Sequence, residues 1–188
     1  SNGDSPPSSV DDEIVSLALM SNSVVIEVKM IPNEPVVFSD ETFKRSEDAI
    51  IAYTWDKYLR TGDADWPLQL PMVKGVVKSM DAVQDFFRSV LNDGNAVNEF
   101  VLLGASKRGW TTWLTGAIDD RVVAIIPVVF DALNLVDSFN HHYGAYGFWS
   151  PAVGDYEAAG IFDWFPRPEI YDLMKIVDPL NYKDDLMM

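Results

Sequence analysis

The chain has 188 residues, 29 acidic against 14 basic, giving a net charge of −15, and no cysteine. That charge disfavours binding to phosphate backbones, and the missing thiols exclude disulfides, cysteine-ligated metals and a cysteine nucleophile. Hydrophobic residues make up 48% and aromatics 12%, enough for one buried core, and no apolar run reaches the roughly eighteen residues that a membrane-spanning helix needs.

Residues 1–9 are small and polar, read as a loop and lack signal-peptide character. Ser8 or Ser9 ahead of Asp11 and Asp12 resembles a capping signal for a short helix carrying Ile14, Leu17 and Ala18. Val24, Val25, Ile26 and Val28 form a β-branched run, the composition of a buried strand. A Pro-containing loop follows over 31–40. Residues 46–59 read as a helix, with Ile50, Ile51, Tyr53, Trp55 and Tyr58 supplying its apolar surface. The stretch from Asp63 to Pro67 breaks it. Asp63 and Asp65 lack the further ligands of a calcium loop and read as solvated.

Val76, Met80, Val83, Phe87, Val90 and Leu91 mark one face of the next helix, which Asn92-Asp93-Gly94 ends. An apolar run from Phe100 to Leu103 then predicts a strand. Gly104-Ala105-Ser106 is a small-residue turn, and Trp110, Trp113, Leu114 and Ala117 recur at helical spacing. Residues 121–130, RVVAIIPVVF, predict a central strand buried on both faces, with Pro127 marking a bulge or a locally free position. Alternating strands and helices predict a mostly parallel α/β sheet flanked by helices. From Asp131 onward the rhythm stops, and over 139–172 aromatics mixed with Gly and Pro predict short helices and loops.

Strand, tight turn and helix with a serine at the apex is the sequence form of a nucleophile elbow, in which a strained turn lifts the hydroxyl above the end of a sheet. The spacing is G-x-S-x-x-G: Gly104 lies two before Ser106, but Arg108 stands where the usual second glycine would be, and Gly109 follows. The alternative is an ordinary strand–helix turn whose serine caps the helix. In an elbow, the backbone N–H of Lys107 would donate to the oxyanion at the helix N-terminus. The Lys107 side chain reads as solvated or paired with nearby acids. For Arg108 that reading stands level with one in which it adds charge to the oxyanion or binds a carboxylate.

The stretch GASKRGWTTWLTGAIDDRVVAIIPVVFD, with the later DPLNYKDDL, resembles the PhoPQ-activated pathogenicity-related protein family over essentially the whole chain. The spacing around Ser106 is also similar to that of glucuronoyl esterases. The resemblance implies a partial α/β-hydrolase fold, divided into a core segment (1–138), a lid-like aromatic helical insertion (139–180) and a return to the core (181–188). It maps the family's serine onto Ser106 and implies a secreted or periplasmic protein. It also implies an internal segment of a larger hydrolase, in which Gly3 is the remnant of an oxyanion loop and the histidine comes later.

Within the chain, Asp131 is the candidate acid, with helix capping as its alternative. His141 and His142 are the only histidines. His141 and Trp149, with Arg108 and Gly3, are the candidate substrate contacts. No metal or cofactor is expected. The expected function is a serine hydrolase acting on a small-molecule or peptide ester or amide, without nucleic acid or a membrane span. The alternatives are a non-catalytic secreted signalling or binding protein on a hydrolase scaffold, and a subunit whose open sheet edges are covered by other chains or by the rest of its own.

Overall fold

The computed structural model describes residues 9–91, 97–130 and 133–186, which fall into two compact units, Ser1–Arg45 and Ser46–Met188. In the first unit, α1 (Asp12–Ser21) follows Asp11 and buries none of its residues. The expected strand at Val24–Val28 does not form. Their backbone joins no strand among the described residues, and Val24, Ile26 and Val28 are exposed. β-branched composition favours extended backbone, but a strand also needs a neighbouring edge for its N–H and C=O groups. Among the described residues of this unit the strand pairing is a single antiparallel bridge, Val36 to Arg45, with 2.8 Å hydrogen bonds in both directions.

In the second unit, α2 (Asp48–Thr61) is buried on nearly every side, through Ile50, Ile51, Ala52, Tyr53, Thr54, Trp55, Tyr58 and Leu59. α3 (Gln69–Ser89) starts about two turns earlier than its apolar face suggested; the stop at Asn92-Asp93-Gly94 lies outside the described residues. β1 (Phe100–Ala105), α4 (Lys107–Ile118) and β2 (Val122–Val128) form a parallel strand–helix–strand unit. The sheet has two strands among the described residues, so the chain is α/β as its rhythm predicted. Its irregularity lies between Phe100 and Val101 rather than at Pro127, which sits in register opposite Gly104.

α4 covers one face of this sheet. On the other, Val101, Leu103, Ile126 and Val128 are exposed, Leu103 by 62%, so burial on both faces of β2 is not reached among the described residues. From 133 onward, short elements replace the rhythm, as expected: α5 (Leu135–Tyr146), α6 (Gly154–Ala158), α7 (Pro168–Val177) and intervening 3₁₀ turns.

Asp178 organises the end of this segment. It is 3% exposed. Oδ1 accepts from the amides of Asn134 (3.2 Å) and Leu180 (2.9 Å), and Oδ2 from that of Leu135 (2.7 Å). One carboxylate thus satisfies orphan donors at the start of α5 and of the Pro179–Tyr182 turn.

Candidate functional site

The turn between β1 and α4 is built on two glycines. A Cβ on Gly104 would lie 2.6 Å from Thr112 Oγ1 and against the Arg108 carbonyl; one on Gly109 would lie 3.0 Å from the Gly104 oxygen and from Phe130 Cβ. Both strands therefore touch the first turns of α4 at backbone distance. Gly109, three residues after the serine, admits β2 as well as β1. Three threonines on α4 return their hydroxyls to the carbonyl four residues earlier (Thr111 to Lys107, Thr112 to Arg108, Thr115 to Thr111), which keeps polar atoms satisfied on a buried helix.

Ser106 sits between these glycines with φ 55 and ψ −123, and its side chain makes no capping hydrogen bond. For a residue with a Cβ, this conformation costs about 1–3 kcal/mol and persists only where its surroundings enforce it. The Ser106 amide donates to the Val128 carbonyl at 2.9 Å, and its own carbonyl accepts from Trp110. Val129, just past β2, is also at positive φ (50), uncommon for a β-branched residue. The serine is exposed, and its hydroxyl has no hydrogen-bond partner among the described residues. Capping therefore does not explain the serine here. The Lys107 amide opens α4, where backbone N–H groups have no intrahelical acceptor.

The side chains of Lys107 and Arg108 turn to acids at the start of α2. Lys107 Nζ lies 2.9 Å from Glu47 and 3.2 Å from Asp48, and Arg108 Nη1 lies 3.1 Å from Glu47. Burial pulls the Lys107 pKa down, but Glu47 and Asp48 outweigh it and leave it above the ordinary lysine value. Arg108 Nη2 is buried and has no hydrogen-bond partner among the described residues. Asp48 also accepts from the Tyr156 hydroxyl at 3.1 Å; burial first, and then this carboxylate, raise the Tyr156 pKa well above normal. Glu47 itself has φ 55 and ψ −129.

Behind the turn, Trp110 stacks on Phe130 (centroids 5.0 Å apart) and meets Trp55 edge-on. The remaining candidates are placed elsewhere or not described. His142 Nε2 accepts from the Ser150 amide at 3.1 Å, and its ring lies parallel to that of Trp149. Trp149 in turn stacks on Phe162 at 3.6 Å. His141 is exposed on α5. Among the described residues, neither histidine bonds Ser106. Gly3 and Asp131 lie outside the described residues. Glu47, Asp48 and Tyr156 were not singled out from sequence: 59 to 61 positions separate the acids from the bases they meet, and no local pattern signals such a pairing.

The family model described as PhoPQ-activated pathogenicity-related protein matches residues 2–188. Autocrine proliferation repressor protein A of Dictyostelium discoideum is 43% identical over 183 residues, 97% of this chain and 36% of that protein. The chain thus spans about a third of the length of this curated relative. No solved structure matches it.

Proposed function

We propose, from the premise that the chain belongs to the PhoPQ-activated pathogenicity-related protein family, that Ser106 is the nucleophile of a serine hydrolase built on an α/β-hydrolase scaffold. The observation that carries this reading is the Ser106 backbone, φ 55 and ψ −123, held between a strand and a helix with the hydroxyl unused. An ordinary cap would have extended backbone and a bonded side chain. Strain that leaves a hydroxyl free at a helix N-terminus is what a nucleophile elbow requires.

In this reading a substrate carbonyl is attacked by Ser106 Oγ. The Lys107 amide, reinforced by the α4 dipole, donates to the resulting oxyanion. Arg108, whose Nη1 Glu47 holds, and Trp149 and the exposed His141 are the candidate contacts for the rest of the substrate. The general base that accepts the Ser106 proton is, in this reading, supplied from outside the described residues. Esters and amides, small or peptide, are the substrate class.

The name of the Dictyostelium relative favours a second reading: an extracellular signalling protein that keeps the scaffold without the chemistry. Among the described residues no helix is long and apolar enough to cross a membrane. Labelling of the intact natural protein with a fluorophosphonate probe separates the two. A covalent adduct on Ser106, abolished in Ser106→Ala, is the expected result. A folded protein that reacts no faster than Ser106→Ala supports the signalling reading and overturns the first.

A further inference from the structure

Two helix starts in this molecule share one uncommon conformation. Glu47 precedes α2 at φ 55 and ψ −129, and Ser106 precedes α4 at φ 55 and ψ −123. A helix does not need this to begin: Asp11 and Arg167 enter α1 and α7 from ordinary extended backbone. Nor does Glu47 cap its own helix, since its side chain makes no hydrogen bond there. The conformation instead accompanies a carboxylate directed at the first turn of α4. One Glu47 oxygen lies 2.9 Å from Lys107 Nζ and 3.1 Å from Arg108 Nη1, and the other 3.3 Å from the same Nη1. Asp48 adds a second acceptor for Lys107 at 3.2 Å and joins it to Tyr156.

The two residues that follow Ser106 are thus both gripped by side chains from α2, while the serine itself is left free. We propose that Glu47 is a positioning residue for the Ser106 turn, its carboxylate clamping Lys107 and Arg108 so that the Lys107 amide and the serine hydroxyl keep a fixed relation. This role rests on the hydrolase reading of Ser106. It does not make Glu47 catalytic, because the carboxylate touches neither the serine nor a substrate position. With 42% of its side chain exposed, Glu47 forms ion pairs that solvent screens, so they contribute little to global stability. Their effect is local, on the geometry of a reacting turn, where small displacements cost rate heavily.

The test uses the intact protein with Glu47→Gln, which removes the charge at nearly constant shape, and Glu47→Gly, which also relieves the positive φ. Two readouts are needed: the fluorophosphonate labelling rate of Ser106, and hydrogen exchange of the segment 106–113. Glu47→Gln is expected to slow labelling about tenfold and to speed exchange in that segment, with the unfolding midpoint nearly unchanged. Glu47→Gly is expected to hold or raise the midpoint and still slow labelling, a combination that a residue serving stability alone would not give. Unchanged exchange and labelling in both folded variants would overturn the clamp and leave the hydrolase reading intact. Absence of labelling in the unmutated protein with faster exchange in Glu47→Gln would overturn the hydrolase reading and keep the clamp as an ordering device.

Discussion

The amide of Ser106 donates to the carbonyl of Val128 at 2.9 Å, so the turn carrying the serine is stitched to the last residue of β2. With Gly104 and Gly109 allowing backbone contact on both sides, the serine has no room to relax from positive φ. Strain held this way is measurable in the folded protein without knowing a substrate.

Ser106→Gly is therefore expected to stabilise the chain by about 1 kcal/mol, because glycine adopts this conformation freely and gives back only part of the gain as unfolded-state entropy. Ser106→Ala keeps the Cβ and should bring no such gain. Urea unfolding of both variants checks this; equal midpoints would mean that the turn is not strained.

Gly104→Ala is expected to cost about 3 kcal/mol or more, since the new methyl meets a backbone carbonyl that cannot move without shifting α4 off the sheet. Gly109→Ala should cost less: its contacts are looser, at 3.0 Å, and alanine gains about 1 kcal/mol of helix propensity. Reversal of this order in thermal or urea unfolding would refute the backbone-contact account.

Asp178→Ala should destabilise by about 2–4 kcal/mol, because three amides lose a buried charged acceptor at once. Asp178→Asn, which keeps one acceptor oxygen, should lose roughly half as much. Chemical denaturation of both decides it; a loss in Asp178→Ala no larger than for a surface substitution would argue against this role.

How much of this was legible follows from range. Ser106, its strand and its helix are encoded within twenty consecutive residues, where an apolar run, a small-residue turn and a helical period agree, and the structure reproduces all three. The displaced glycine at Gly109 could be noted from spacing, but its reason, contact with Val128 of the second strand and with Phe130 just past it, needs the fold. Glu47 had no signature, because its function depends on bases 60 and 61 positions away. Val24–Val28 misled in the opposite sense: strong local propensity is present, and among the described residues a partner strand is not. Local chemistry is readable, whereas pairing across the chain is not.

Alkaline pH should weaken the connection between α2, α4 and α6. The folded pKa of Lys107 lies above the ordinary 10.5, and that of Tyr156 above 10.0. In both, the folded state holds the proton more tightly than the unfolded chain. The contribution is fully present below those ordinary values and is lost as pH rises through the folded ones. The unfolding midpoint should fall as pH passes 10, and less steeply in Tyr156→Phe. Parallel slopes for the two proteins would contradict the assignment to Tyr156.

The position of Asp178 has a consequence for the order in which the chain can assemble. α5 begins at Leu135, but the carboxylate that receives its first amides lies 43 residues later. During synthesis α5 emerges, and the aromatic segment after it, before the group that completes its N-terminus exists. The start of α5 and the end of α7 must therefore mature together, as the closing step of this region rather than as successive ones.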